Sequence, residues 1–527
     1  MIIRPLSFNL KESSVVFNYR ARVFCEIWEI VAELQRPNCG NAINGAQNRQ
    51  KLPKKAPKTA LNPVFCLGIR IAHKLCKTKY LTKGYKFKKL LAHERRDNMS
   101  NKSKVALVKG EDIQANVTKV FDLLGGVENL IHKGSVVMLK PNAGHAEPPE
   151  TSVCTNPEVI RAVIREVKKA QPKEIVIAEA AAIGCDTVEC FEVSGIKKMA
   201  DEEGVECYDI KRDKDLVNVA VRDYRSNLDH IKLPRRLMEA DHLINLPILK
   251  AHASMVFSGA LKNIKGVVHD KVHMQMHQQN LTMSMMDVWS VCRADLNIMD
   301  AFRAASGYSP HMPVPIESNM ILGSKDPVAI DRVACEVTGI DTSGVSYFTV
   351  AEEAGLGSYN MDQIEVVGNT IEECFKPMWI PYIGDMSKRW PEYDVRCEGA
   401  CSSCQALLAI NMEELKAVGE YDKNAGMTIV AGPKNTIPAD IPDERIVLHG
   451  NCTKKYLKDH PNAFWILGCP PNEPALYLTV QRKETINGMG DQEDEIIRPC
   501  MKRDEPVWRE YVFKAAEEYY KDHPESK

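Results

Sequence analysis

The sequence predicts an α/β fold: a largely parallel sheet with flanking helices, followed by a smaller C-terminal α/β domain that bears cysteines. Three observations carry this prediction. Short apolar segments such as SVVMLKP, EIVIAE and HLINLPILK alternate with segments of helical period. Two of the intervening helices announce their starts, at Asn156-Pro157 and Asp326-Pro327. Beyond about residue 375, cysteines gather beside a second set of short apolar strands.

The elements follow in order. VALVKG reads as a strand, TKVFDLLGGV as a helix and SVVMLKPNAG as an apolar strand entering a loop. Asn156 can cap free amides, and Pro157 suits the first helical position. Val159, Ile160, Val163, Ile164 and Val167 then give that helix one apolar face. EIVIAE, HLINLPILK and LNIMDAF read as further strands. DPVAIDRVACEVTGID supplies a helix from Asp326 that ends at Gly339. In the C-terminal part, TIVAGP, ERIVLHG and AFWILG read as strands. MEELKAVG, PALYLTVQR and EPVWREYVFKAAEEYYKDH read as helices, the last of them amphipathic. Apolar strands alternating with helices imply layers around a parallel sheet, whose ligands tend to sit off the carboxyl ends of its strands.

The charge balance divides the chain. Residues 1–98 hold 20 Lys+Arg and 6 Asp+Glu, leaving 49 and 64 for the rest, so a basic extension precedes an acidic body. The extension lacks the layout of a signal peptide, and Met99 opens MSNKSKVALVKG like a natural start. Residues 1–98 are therefore expected to be a disordered extension or a mis-assigned start. The predicted domains are 99–375 and 376–527. An acidic body gives no reason to expect nucleic acid, and no run of eighteen apolar residues suggests a membrane span.

Polar residues just after the strands are the candidate site. They are Lys140 and Asn142 after SVVML, Glu179 closing EIVIAE, and Asn245, Lys250 and His252 in HLINLPILKAH. SGALKNIKGVVHDKVH adds Lys262, Asn263, Lys265, Gly266, His269 and His273. A single such lysine is more often plain surface. Several at successive strand ends suit a carboxylate or phosphate, held by charge and backbone amides. Lys140, Asn142, Asn263 and Glu179 are the expected substrate-binding residues. His252, His273, Lys250 and Lys262 are the expected catalytic ones, since imidazole titrates near neutral pH.

LKPNAG, the TNPEVIRAVI helix, LPILKAH, SGALKNIKGVVHDKVH, LNIMDAF and GSKDPVAIDRVACEVTGID together resemble the domain of unknown function 362 family, in order, over about residues 104–342. The resemblance implies a conserved α/β domain, often found beside iron–sulfur modules in anaerobic bacteria and archaea, with no settled reaction. Lys140, Asn142, Lys250, His252, Lys262, Asn263 and His273 are the positions that match the family's motif residues.

His269, His273 and His277 lie four apart, so on a helix they form one stripe that could hold a metal with Asp270, Asp287 or Asp300. A polar helix face is the plainer reading. The chain has 17 cysteines, an odd number mostly scattered in apolar segments, as in a reduced, cytoplasmic protein. Five are different: Cys397, Cys401 and Cys404 in CEGACSSC, Cys452 in HGNC and Cys469 in LGCPP. A 4Fe–4S cluster needs four thiolates, and proline after a ligating cysteine is frequent in iron–sulfur motifs. GCPPNEPALYL also resembles the cluster-binding GCPP-x-PE-x-L segment in the small subunit of respiratory complex I, departing from it at Asn472-Glu473-Pro474. Cys401, Cys404, Cys452 and Cys469 are the expected ligands, with Cys397 as substitute.

Zinc is the competing ion, though a zinc ribbon would more often show a second Cys-x2-Cys. Cys-x3-Cys-x2-Cys also occurs in radical S-adenosylmethionine enzymes, but too little chain follows Cys404 for their barrel. The remaining possibility is unrelated thiols. The chain is therefore expected to be an iron–sulfur-dependent oxidoreductase acting on a small anionic substrate, with a possible redox partner protein. The alternatives are a non-catalytic cluster-bearing electron carrier or accessory protein, and a zinc-stabilised anion-binding protein. No nucleotide-binding glycine motif is present.

Overall fold

A ten-stranded mixed sheet is the frame of the molecule. Along its main path the strands run β12-β1-β11-β10-β7-β2-β3-β4. They are β1 (Ser103–Lys109), β2 (Val136–Pro141), β3 (Glu174–Glu179), β4 (Glu206–Asp209), β7 (His242–Leu246), β10 (Leu296–Tyr308), β11 (Met312–Ser324) and β12 (Ile364–Gly368). β8 (Ile248–His252) pairs with β10 and with β9 (Val256–Ser258), off that path. β5 (Leu216–Ala220) and β6 (His230–Pro234) form a separate two-stranded ribbon. The computed structural model describes residues 102–524 apart from 222–227, 253–254, 382–385 and 488–491. The expectations for residues 1–98 lie outside the described residues.

The expected α/β class, with a largely parallel sheet, is what the structure contains. β3–β4, β2–β3, β2–β7, β7–β10, β8–β10 and β1–β12 pair in parallel, while β11 runs antiparallel between β1 and β10. Alternation along β1 explains why both faces are covered. Val105 and Leu107 enter one apolar core, and Ala106 and Val108 enter the other. Helix Pro157–Lys169 covers the second face with Val159, Ile160, Val163, Ile164 and Val167. Its Asn156 side chain accepts from the Glu158 amide, as the capping residue suggests. Helix Pro327–Thr338 is capped in the same way by Asp326, and stops at Gly339, whose φ of 66° is left-handed.

A second sheet of four parallel strands runs β13 (Asp394–Arg396), β14 (Thr428–Ala431), β15 (Ile446–His449) and β16 (Phe464–Ile466). It shares the larger core, which contains Phe257 and Trp289 together with Met412 and Ile429. The final helix, Arg498–Asp522, ties back to β10 through Tyr520 and Ser306, whose hydroxyls are 2.7 Å apart. Among the described residues no helix is long and apolar enough to cross a membrane.

Three local expectations needed correction. The LNIMDAF strand extends to Tyr308 and returns as β11, where Pro313 and Pro315 obscure a strand signal. The MEELKAVG helix begins earlier, as Ser402–Ala417, because Cys401 stands where a capping Ser or Asp would mark the start. The last helix begins at Arg498 and carries Pro506 inside it, where proline suggested a boundary.

Candidate functional site

Three parallel strands bring a row of polar residues together. Lys140 on β2 stands opposite Asn245 on β7, and Asn245 stands opposite Asn297 on β10. All three are buried, so each must find partners inside the protein. Asn297 donates to Ser324 O at 3.2 Å and accepts from Asn245 at 2.9 Å. Asn245 also donates to Ala260 O at 3.0 Å. Asn263 donates to the Asn245 side chain at 2.8 Å and to Lys140 O at 3.1 Å. The Asn263 carbonyl oxygen accepts from Asn142 at 3.0 Å and from Lys140 Nζ at 3.2 Å. This chain of amides fixes the strand ends and aims the lysines.

Glu179 completes the floor. Its carboxylate accepts from Lys140 Nζ at 2.9 Å and from the amides of Ala143 and Ala180, each at 2.9 Å. Burial pushes the Glu179 carboxyl up and the Lys140 amine down, and their contact opposes both shifts. Gly266 makes room for the pair, because a Cβ there would lie 1.9 Å from Glu179 Oε1 and 2.6 Å from Lys140 Nζ.

Lys250, Lys262 and Lys265 face the same space. Lys250 Nζ donates to Val153 O at 2.6 Å and to the Asn142 side chain at 3.3 Å. Burial draws the Lys250 and Lys265 amines down to about 8. Lys262 falls further, through burial and then the charges of Lys265, Lys250 and Lys140. Lys262 and Lys265 do not close strands, as the sequence suggested. They sit on one helical turn, Ala260–Asn263, and the 3-10 turn after it, because SGALKNIKG follows the short β9. His252 is enclosed beside them, and burial with the nearby lysines keeps its ring neutral.

The histidine stripe does form a helix, Asp270–Gln279, with His269 at its N-cap. Two of its rings converge on one lysine. His273 Nε2 lies 2.6 Å from Lys265 O, and His277 Nε2 lies 2.6 Å from Lys265 Nζ. Among the described residues no three His, Cys, Asp or Glu side chains stand close enough to hold a metal ion. The expected metal partners are dispersed as well: Asp300 accepts from the Asn156 amide at 2.8 Å, on the far side of β10.

Four of the five singled-out cysteines meet at the carboxyl edge of the second sheet. Cys401 is the N-cap of helix Ser402–Ala417 and Cys404 lies in its first turn, Cys452 follows β15 and Cys469 follows β16. Cys404 hydrogen-bonds to Cys401, and its proton affinity is raised by that bond, by burial and by the charges of Cys401, Cys452 and Cys469. Cys401 is drawn down to about 6, first by the bond from Cys404 and then by amides of the helix start. Cys397 lies upstream on the same loop, half-buried.

Glycine lets these loops approach one another. Gly432 follows β14 with a φ of 89°, and a Cβ there would lie 2.4 Å from Ala400 N. Gly432→Ala is expected to lower the unfolding free energy by about 2 kcal/mol through backbone strain alone and to displace the CEGACSSC loop. Denaturant unfolding beside titration of accessible thiols checks both effects.

The thiol corner and the lysine pocket are adjacent. The amide of Cys469 donates to His277 O at 2.8 Å, and Cys469 O accepts from the Leu281 amide at 2.9 Å. Asn451 donates to Gln278 O at 2.6 Å. One residue, His277, therefore touches the Cys469 backbone and the Lys265 side chain.

Sequence reasoning missed another cluster beside the pocket. Cys185 and Cys190 hydrogen-bond to each other, His145 Nδ1 lies 4.0 Å from Cys185 Sγ, and the Cys154 thiol donates to His145 O at 3.2 Å. Bonds from Cys190 and then His145 lower the Cys185 thiol. The Cys-x4-Cys spacing was the available signal, hidden among singly scattered cysteines. His145 also borders a cavity of about 300 Å3, lined by Glu414, Glu473 and Trp508 among others.

Comparison with known proteins bears on the domain that carries the pocket. Residues 137–336 match the family model described as "Domain of unknown function (DUF362)", so the chain carries that domain. The matched stretch contains Lys140, Glu179, Lys250, His252, Lys262, Asn263 and His273. The thylakoid-associated protein sll1697 of Synechocystis is 26% identical over 251 residues, covering 46% of this chain and 75% of that protein. Two solved structures are more distant. The lactate racemase apoprotein from Thermoanaerobacterium thermosaccharolyticum aligns with a TM-score of 0.30 at 14% identity, over 45% of this chain and 57% of its own. A protein from Thermotoga maritima aligns with a TM-score of 0.31 at 14% identity, over 74% of this chain and 96% of its own. Both likenesses are too remote to bear on function.

Proposed function

We propose that this chain is an iron–sulfur redox protein, an oxidoreductase that holds a small anionic substrate among Lys140, Lys250, Lys262 and Lys265. The observation that carries the reading is the adjacency just described: a four-thiol corner joined through His277 to a lysine-lined pocket. An enzyme needs its electron carrier close to its substrate, whereas a purely structural cluster does not.

The pocket's charge supports an anion. Glu179 is the only carboxylate bonded to any of these lysines, and it is taken up by Lys140. Lys250 and Lys265 answer to carbonyl and imidazole groups instead. A carboxylate or phosphate would supply the missing negative charge and draw charge-assisted bonds from the amines. Asn142 and Asn263 hold the Lys140 and Lys250 side chains in place. His252 and His273 are neutral rings within the pocket wall, suited to accept or return a proton. His273 Nε2 is engaged with Lys265 O, so its Nδ1 is the atom for that task.

The thiols suit a 4Fe–4S cluster in donor chemistry, and Cys401, Cys404, Cys452 and Cys469 would hold it, with Cys397 in reserve. Such a cluster, when bound, supplies one-electron transfer. The reading takes residues 99–375 as the substrate domain and 376–527 as the cluster domain. It also includes a cytoplasmic setting and a redox partner protein.

The anion pocket has a pH signature. Lys250 and Lys265 carry charge below about 8 and lose it above. Sulfate or oxalate affinity is therefore expected to be flat from pH 6 to 7 and to weaken roughly tenfold by about pH 9, since one lost unit of charge interaction costs about 1.4 kcal/mol. Isothermal titration across that range checks it. Affinity that rises with pH would remove the lysines from the site.

A further inference from the structure

We propose that Lys262 is a covalent amine site, whose Nζ condenses with the carbonyl of a small 2-oxo or aldehyde carboxylate held by the neighbouring lysines. The inference rests on the anion pocket of the proposed function, and adds to it a substrate class and a bond.

The four lysines of the pocket are not equivalent. Lys140 is engaged by Glu179, Pro141 O and Asn263. Lys250 is engaged by Val153 O and Asn142, and Lys265 by His277. Lys262 makes no hydrogen bond or ion pair among the described residues, yet it lies within the field of the other three. Three amines are committed to the wall and one is left facing the space between them.

The backbone under Lys262 is held firmly. Asp331 accepts from the amides of Ala260 at 2.6 Å and Leu261 at 3.0 Å. Trp289 Nε1 donates to Leu261 O at 2.8 Å. A Cβ on Gly259 would lie 2.2 Å from Asp331 Oδ1, so the turn tolerates nothing larger there. The Lys262 side chain thus projects from a fixed point, which limits the entropy lost when its amine is positioned.

The chemistry needs a neutral amine beside an anion. Burial and three neighbouring ammonium groups disfavour a fourth charge on Lys262, the environment that activates imine-forming lysines. The same neighbours attract a carboxylate, and a carbonyl next to that carboxylate then lies within reach of Nζ. In the first step the Nζ lone pair forms a C–N bond, the carbonyl π pair moves to oxygen, and that oxygen gains a proton. The carbinolamine then loses water and forms C=N. Amine and carbonyl become imine and water, with no change in oxidation level and no co-reactant. The His252 ring, beside Lys262 and neutral, can carry the proton between nitrogen and oxygen.

The test is trapping. The full chain is incubated with glyoxylate and sodium cyanoborohydride, then digested and mapped by mass spectrometry. The expected result is one carboxymethyl group per chain, on Lys262, suppressed by excess oxalate and missing from that position in K262R. Adducts spread over surface lysines, or centred on Lys250 or Lys265, would overturn the assignment. Oxalate binding measured by calorimetry separates the two layers. Oxalate binding without a Lys262 adduct defeats the imine and leaves the anion pocket standing. No oxalate binding defeats the pocket and the imine together.

Discussion

Glu179→Ala is expected to lower the unfolding free energy by about 3–5 kcal/mol, the range for removing one partner of a buried ion pair. Both partners are almost fully enclosed, with side-chain exposures of 1% for Lys140 and 3% for Glu179. The change strands the Lys140 ammonium between Asn263 and Pro141 O and frees the amides of Ala143 and Ala180. Glu179→Gln retains an acceptor and should cost less. Denaturant unfolding of the three proteins gives the comparison. A Glu179→Ala cost below about 1 kcal/mol, the scale of an exposed pair, would mean that the floor of the pocket is not built on this pair.

Cys404→Ser is expected to abolish iron retention, while Cys397→Ser leaves it near the level of the unaltered chain. Cys404 is the buried thiol that the charges of Cys401, Cys452 and Cys469 all reach. Cys397 lies outside that set on the approaching loop. Iron content after anaerobic reconstitution, with circular dichroism to confirm folding, reads the difference. Equal loss in both variants would replace the assigned four by a set that includes Cys397.

Much of this architecture is legible in the residues. Asn156 and Asp326 mark helix starts because a short side-chain acceptor followed by proline has few other uses. Apolar runs such as VVMLKP are legible as strands buried on both faces. The candidate lysines are legible as a group, since the strands that carry Lys140 and Lys250 end near the same edge. What the residues conceal is partnership. Nothing in SGALKNIKG says that Lys265 turns to His277 while Lys262 stays uncommitted, because that division depends on a helix packed from later in the chain. The same holds for His145 and Cys185, forty positions apart, whose meeting is set by loops after β2 and β3. Short strands with internal proline, such as β11, are hidden because the local signal opposes strand and only the pairing with β10 and β1 outweighs it.

The adjacency of the thiol corner to the lysine pocket gives the chain its proposed role, so the content of that corner is the first thing to measure. The full chain, purified without oxygen, should carry about four irons and four acid-labile sulfides, with a visible absorption that bleaches on adding dithionite. Zinc alone, or no metal even after anaerobic reconstitution, would contradict the redox account and leave an anion-binding α/β protein with a thiol-bearing tail.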